Sequence, residues 1–381
     1  MTSSLHPDAE APASPAPMAP PRRVAVLGTG LIGTSIALAA TRAAMSVAGW
    51  DAAPDIAARA AATGGLTAAA GLDEAVRGAD LVVVCTPIPA IAETAARALA
   101  AAPEAVVTDA GSIKGAVARA VGLLAAEADL PRFVPGHPMG GSERSGPEHA
   151  SASVVDGIVW VVAATEASDP AAVAVVEAFV RAIGARPVRL SPERHDKLVA
   201  VVSHLPQVAS TSLMGLAATE EADEPEILLL AAGGFRDLTR LAASNPTLWS
   251  DILLANAEQI AGAIDLYVAR LQLLRDEIRA GAADRVGETF ESAKRARLNL
   301  SAKPQVRSGV AVWQVEIPDE PGALARITAV LGEGRVNIED LQIVHSPEGG
   351  RGTVHLTVAA DTADDVAAVL RGGGYDPMRL A

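Results

Sequence analysis

Arg23 to Gly33 reads R-V-A-V-L-G-T-G-L-I-G, a short apolar run that ends in three spaced glycines. Ile36, Ala40 and Ala44 then recur at helical spacing, and S-V-A-G-W at 46–50 predicts a second strand that ends at Asp51. A strand, glycine turn, helix, strand and acidic residue at this spacing form a dinucleotide-binding unit. Gly28 permits the tight turn, Gly30 lets a pyrophosphate approach the backbone, and Gly33 lets helix and strand pack closely. Leu31 and Ile32 lie in the same turn, at the positive end of the helix where the phosphates sit. Asp51 is placed to accept hydrogen bonds from the adenosine ribose hydroxyls. That favours NAD over NADP, whose extra phosphate a carboxylate repels. No arginine follows Asp51 until Arg59, which points the same way. A bare glycine pattern is often only a turn, so the flanking strands and the acid carry the reading.

Working outward, L-V-V-V-C at 81–85 and A-V-V-T-D at 105–109 are predicted as buried parallel strands. Further strand-like runs occur at 158–163 and 186–190, with a helical run between them. The expected dinucleotide-binding domain therefore covers 22–190. Ligands bind outside the carboxyl ends of such strands, which puts Thr86, Pro87, Asp109 and Ser112 near the nicotinamide. Cys85, the single cysteine, reads as a core residue and fits a reducing cytoplasm.

The stretch from Thr108 to Glu143 holds T-D-A-G-S-I-K and then G-H-P-M-G-G-S-E. His137 is expected in a glycine-flanked loop, with Pro138 restricting the backbone behind it. A histidine so placed in an NAD-binding chain is a candidate general base, against the plain alternative of a surface loop histidine. Its activity should then fall below a pH of about 6.5, the ordinary histidine value. His149 reads as a surface residue. His195 and His204 share a helical run with Asp196 and Ser203, but neither histidine pair has a third ligand at zinc-like spacing, so no metal is expected.

From 191 to 302 the strand signals stop and long helical patterns replace them, including P-E-R-H-D-K-L-V-A-V-V-S-H-L-P-Q and L-W-S-D-I-L-L-A-N-A-E-Q-I. Asn245 and Pro246 mark a break. Helices apolar on more than one face predict burial against a second copy, a homodimer. Arg236 and Arg240 in G-G-F-R-D-L-T-R are four apart and suit a carboxylate, with Asp237 as the competing partner. After a linker, 310–381 reads as strand, helix, strand, strand, helix and a short last strand, a ferredoxin-like α/β sandwich.

The bulk properties narrow the partners. The chain has 381 residues, enough for two or three domains, and a net charge of -14 with only 3% aromatic residues. That argues against nucleic acid and anionic membranes, though local arginines can still bind small anions. No uninterrupted apolar run reaches membrane-spanning length. Met1 to Pro21, rich in Pro, Ala and Ser, has no signal-peptide pattern and reads as a disordered tail.

These motifs together resemble the prephenate dehydrogenase family, which includes arogenate and cyclohexadienyl dehydrogenases. The resemblance runs from Arg22 to about Leu300. It rests on G-T-G-L-I-G-T-S, T-D-A-G-S-I-K, G-H-P-M-G-G-S-E, H-D-K-L-V-A-V-V-S-H-L-P and G-G-F-R-D-L-T-R-L-A-A-S-N-P-T-L-W. It implies NAD-dependent oxidative decarboxylation of prephenate to 4-hydroxyphenylpyruvate, on the route to tyrosine. His137 falls on the family's catalytic histidine, and Ser112 on the serine that helps orient it and the nicotinamide. Arg240, ahead of Arg236, falls on the arginine that grips the substrate's side-chain carboxylate. Glu143, Ser203, His204, Gly233 and Trp249 match positions that line the substrate pocket. Many relatives read S-H-L-P-H where this chain has Gln207, a neutral residue at a position that bears on prephenate against arogenate.

The terminal segment resembles an ACT domain through P-D-E-P-G-A-L-A-R-I and V-N-I-E-D-L. Gly322, opening a helix, and Asn337 are the candidate effector contacts, with tyrosine as the expected feedback ligand. A domain used only for assembly is the alternative. Two competing readings of the whole chain are an NAD-dependent β-hydroxy acid dehydrogenase using Lys197, and a non-catalytic NAD and amino-acid sensor.

Overall fold

The computed structural model describes residues 18–140, 144–301, 310–345, 351–359 and 363–380. Two units divide the chain, Met1–Leu266 and Tyr267–Ala381. The expected tail up to residue 17, and Glu143, lie outside the described residues.

In the first unit, β1 (Arg23–Leu27), β2 (Ser46–Trp50), β3 (Thr67–Ala68), β4 (Leu81–Val84), β5 (Val106–Asp109) and β6 (Phe133–Val134) form one sheet. Their order is β3-β2-β1-β4-β5-β6 and every pairing is parallel. Both faces are covered, as the unbroken apolar strands require. Val24, Val26 and Val83 pack under helices Leu31–Arg42 and Pro170–Ala182, while Ala25, Leu27, Val82 and Val84 pack under Ile88–Ala101 and Gly115–Leu124. Each fully buried Val or Leu contributes about 1.5–3 kcal/mol, so the sheet is a rigid base for whatever its loops hold. The strand order turns at β1 and β4, where Leu27 lies beside Val84. The glycine turn and the turn after β4 therefore share one crevice.

A second sheet holds β7 (Gly136–Pro138), β8 (Val159–Val162) and β9 (Arg186–Arg189). β7 pairs antiparallel with β8, His137 opposite Val161, and β8 pairs parallel with β9. This corrects the expected loop around His137: the residue stands on a short strand. Glycine and proline on either side are poor strand formers, so the pattern gave no sign of it.

The helical part opens with Pro192–Val199, widens into a π-turn at Ala200–His204, and continues as Leu205–Glu220. Ser191 caps it by accepting from the Arg194 amide at 3.2 Å, with Pro192 in the first turn. Gly233–Thr239 follows, then a 3-10 turn at Arg240–Ala243. Asn245 caps Pro246–Ala255, its side-chain oxygen accepting from the Thr247 and Leu248 amides. The run expected as one helix through Ala255 is two: Pro246–Ala255 and Ala257–Arg279 meet at 93° across Asn256. By length and composition alone, Pro192–Glu220 suffices to cross a membrane. It holds no unbroken apolar run because His195, Asp196, His204 and Gln207 interrupt it. Leu229, Leu230, Leu254 and Leu266 are 70–82% exposed, an uncovered apolar surface on these helices.

The second unit contains β10 (Val310–Pro318), β11 (Asp340–His345), β12 (Arg351–Ala359) and β13 (Pro377–Arg379), with helices Ala323–Glu333 and Ala363–Gly372 on the sheet. The sheet is antiparallel in the order β11-β12-β10-β13. Val315, Ile327, Leu331, Val354, Leu356, Val366 and Leu370 form its own core. It is a small α/β unit with the strand and helix sequence expected of 310–381.

Candidate active site

The glycine turn after β1 meets the steric demands read from its sequence. Gly28 has φ +94, and a Cβ there would stand 2.6 Å from the Cys85 carbonyl. At Gly33 a Cβ would meet the Gly28 oxygen at 2.0 Å, so that helix can pack this closely only on a glycine. Gly30 by contrast faces open space, and the helix it precedes has no side-chain cap. Its first amides are thus available to an anion. Asp51 is held at the end of β2 by the Thr29 amide at 2.8 Å and the Ala53 amide at 3.0 Å. Arg59 is paired with Glu148. Thr86, just past β4, has a buried hydroxyl oxygen with no partner among the described residues. A free helix end, an oriented carboxylate and an orphaned hydroxyl in one crevice fit NAD. Leu31 and Ile32 open the helix, and Pro87 follows Thr86 at the crevice rim. Cys85 packs against the core, and burial followed by the charge of Asp109 pushes its thiol up.

At the end of β5 the chain spends two buried charges on holding its own loops. Lys114 and Asp109 are both fully buried and form an ion pair. The ammonium also donates to the Gly136 carbonyl at 2.6 Å, and the carboxylate accepts from the Gly111 amide at 2.9 Å and the Gly136 amide at 3.2 Å. Burial lowers the lysine, opposed by the Asp109 charge. Asp109 therefore ties the turn carrying Ser112 to the strand carrying His137. Ser112 is half-buried on that turn.

His137 makes its hydrogen bond to His195, Nδ1 to Nε2 at 2.8 Å, with the rings edge to face. His195 Nδ1 in turn lies 2.8 Å from Asp196 Oδ1. Asp196 also accepts from the Lys114 and Gly115 amides, each at 2.8 Å, and Gly115 is close enough that a Cβ would reach the carboxylate at 2.9 Å. Burial pushes Asp196 up, but the bonds from His195 and the two amides outweigh it and hold the carboxyl below its usual range. His137 lies well below the ordinary histidine value because of burial, then the positive charge of Lys114 and the neighbouring histidines. It is neutral at pH 7.

The buried Asn256, at the bend between helices, donates to the Asp196 carbonyl at 2.9 Å and lies 3.3 Å from His204 Nδ1. The carbonyl fixes which end of the amide is nitrogen, so His204 Nδ1 accepts and its Nε2 carries the hydrogen. Burial lowers His204 to about 4, which keeps it neutral, and its ring meets Trp249 edge to face at 6.1 Å. Ser203 precedes it on the π-turn, an irregularity that recurs at functional sites. Gln207 is buried, donating to the Leu241 carbonyl at 2.8 Å and accepting from Ser244 at 3.3 Å. Arg236 is exposed in the last turn of Gly233–Thr239, and Arg240 is exposed where that helix tightens. Lys197 is exposed while its neighbours His195 and Asp196 are buried.

The structure thus brings His137, His204 and Trp249 into one network and ties Ser112 to it through the turn. Residue-level reading missed His195, Asp196, Lys114 and Asn256, which complete that network. The signal was present: a His-Asp pair set in an otherwise apolar helical run must be buried with partners or not at all. Among the described residues no cluster could hold a metal ion.

The chain is similar to known proteins along most of its length. The family profile "Prephenate dehydrogenase, nucleotide-binding domain" matches residues 36–189, and "Prephenate dehydrogenase, dimerization domain" matches 191–292. The chain is 30% identical over 350 residues to the prephenate dehydrogenase of Bacillus subtilis, spanning 89% of this chain and 92% of the relative. It is 35% identical over 295 residues to the cyclohexadienyl dehydrogenase of Zymomonas mobilis, spanning 75% and 98%. Prephenate dehydrogenase from A. aeolicus, solved in complex with hydroxyphenyl propionate and NAD+, superposes with a TM-score of 0.68 at 27% identity, covering 75% of this chain and all of that one. With its crevice shaped for NAD and both domains matched in order, the chain belongs to the prephenate dehydrogenase family of NAD-dependent oxidoreductases.

Proposed function

We propose that this enzyme oxidatively decarboxylates prephenate to 4-hydroxyphenylpyruvate, with His137 as the proton acceptor. The observation that carries this is the half-buried His137, neutral, bonded to His195 and held on a strand that Asp109 ties to the end of β5. NAD, when bound, accepts the hydride from the ring carbon that bears the hydroxyl. His137 takes the proton of that hydroxyl as the carbonyl forms. Loss of the ring carboxylate as carbon dioxide leaves its bonding pair in the ring, which becomes aromatic, so the overall step is strongly downhill. The protein's task is alignment and exclusion of water rather than a large chemical push. His204, neutral with its hydrogen on Nε2, is a donor for a substrate oxygen. Ser112 helps orient the reacting groups, and Arg240, with Arg236 beside it, holds the side-chain carboxylate, a task suited to a guanidinium fork. Ser203, Gly233 and Trp249 line the remainder.

Prephenate is preferred to arogenate because Gln207 is neutral and already committed to Leu241 and Ser244, so it adds no charge to hold an ammonium group. Purified protein with NAD and either prephenate or arogenate, followed by NADH formation, tests this. Faster turnover of arogenate would reverse the assignment, and inactivity on both would support the sensor reading.

The helical domain is proposed to join two copies through its exposed leucines. The terminal unit is proposed as an ACT-type site for tyrosine. A cleft of about 330 Å³ there is lined by Pro318, Glu320, Gly322, Leu324 and Ile343. Gly322, at φ +86, precedes a helix without a side-chain cap, which suits an amino-acid carboxylate. Asn337 does not line that cleft, and its amide donates to Glu339, so the reading rests on Gly322. Tyrosine inhibition that survives removal of 310–381 would refute it.

A further inference from the structure

We propose that His195 and Asp196 are positioning residues that fix His137 with its hydrogen on Nδ1, leaving Nε2 as the proton-accepting atom. This deepens the reading of His137 as the base and rests on it. The order of the hydrogens follows from the end of the chain of contacts. Asp196 is an acceptor only: its oxygens already receive the Lys114 and Gly115 amides, both fixed in the backbone at the start of helix Gly115–Leu124. Whatever stands 2.8 Å from Oδ1 must donate, so His195 Nδ1 carries a hydrogen. His195 is fully buried and its one carboxylate partner, Asp196, already receives two backbone amides, so the uncharged ring with a single hydrogen is the form that geometry accommodates. Its Nε2 is therefore a lone pair, and the partner at 2.8 Å, His137 Nδ1, must donate to it. A neutral imidazole with hydrogen on Nδ1 has its lone pair on Nε2.

The reverse order would leave a hydrogen on His137 Nε2 and no lone pair for a substrate proton, so the tautomer decides whether the residue can act at all. When His137 accepts a proton it becomes a cation, and the Asp196 carboxylate, relayed through His195, is placed to stabilise it. The relay also crosses from β7 to the first helix of the helical part, which runs on into the π-turn that carries His204.

The test uses the full-length protein labelled with nitrogen-15 in histidine. The His137 signal, identified by its loss in His137→Asn, should show a protonated Nδ1 and an unprotonated Nε2 at pH 7.5. A protonated Nε2 in the unmodified protein would overturn the proposal whatever any variant does. In His195→Leu, kcat should fall on the order of 10²-fold or more with NAD affinity and KM changed less than about threefold, the scale of a general base held in the wrong form. His195→Gln, whose side-chain oxygen takes the place of the Nε2 lone pair, should recover most of that loss. Wild-type kcat in His195→Leu, or equal losses in the Leu and Gln variants, would also overturn it. A His137→Asn enzyme with full turnover would instead remove His137 as the base while leaving the tautomer measurement standing, so the two failures are distinguishable.

Discussion

Replacing Lys114 with methionine removes one member of an ion pair in which both side chains are fully buried. Asp109 would keep its bonds from the Gly111 and Gly136 amides but lose its cation, and the Gly136 carbonyl would lose a donor. Breaking a buried pair from one side costs about 3–5 kcal/mol. An independent limit comes from protonation, because the variant can escape by neutralising the carboxyl. For a carboxyl with an ordinary value of about 3.9, that costs about 1.36 kcal/mol for each of the roughly three pH units up to 7, about 4 kcal/mol in all. The two routes agree. The limit has a sign: the loss should be largest near pH 7 and shrink as pH falls towards 4, where the unfolded chain is protonated too. At about 2–4 °C per kcal/mol for a unit of this size, the midpoint at pH 7 should drop by about 8–16 °C. Urea unfolding followed through the fluorescence of Trp160, buried beside Gly136, reads the same unit. Asp109→Asn combined with Lys114→Met should lie closer to wild type than Lys114→Met alone. A loss below about 1 kcal/mol, or one that does not change between pH 7 and pH 4.5, would show that Lys114 and Asp109 do not depend on each other as a buried pair.

Other expectations follow from single observations. Thr86→Val removes a buried hydroxyl with no partner among the described residues, so stability without cofactor should hold or rise. NADH should then bind about 2–10-fold more weakly by fluorescence titration, the share of one hydrogen bond, and unchanged binding would exclude Thr86 from the cofactor site. His204 sits at about 4 when folded against about 6.5 when unfolded. Its contribution is therefore full above pH 6.5 and is lost as pH falls towards 4, and His204→Gln should flatten the urea midpoint across that window. The acid limb of kcat/KM should lie below pH 6.5 rather than at it, because burial holds His137 well under the ordinary value. Leu254→Asp, at a leucine 79% exposed, should convert a dimer to a monomer in sedimentation, and an unchanged species would place the interface elsewhere.

How much the residues revealed depended on whether their signal was local. The β1–β2 unit was legible because each of its demands, the turn at Gly28, the close packing at Gly33 and the acid at Asp51, is set within thirty residues. The small terminal unit was legible for the same reason, through strand alternation that continues into its sheet. His137 was identified by its neighbours but given the wrong backbone, since a three-residue strand made of Gly, His and Pro carries no strand propensity and exists only because β8 pairs with it. The partners of His137 were not legible at all as partners. His195 is 58 residues away, and its side chain reaches the base only through the packing of the helical part on the turn after β5. Asn256 looked like the middle of a helix because its neighbours are good helix formers, while its actual role, bridging the Asp196 carbonyl and His204, requires the helix to bend there.

The whole reaction turns on His137 accepting the substrate's proton. The direct measurement is NADH formation from prephenate by wild-type protein and by His137→Asn, beside NAD affinity for both. With His137 as the base, NAD affinity should be unchanged and turnover lower by on the order of 10²–10⁴-fold in the variant. Turnover within a few-fold of wild type would contradict it.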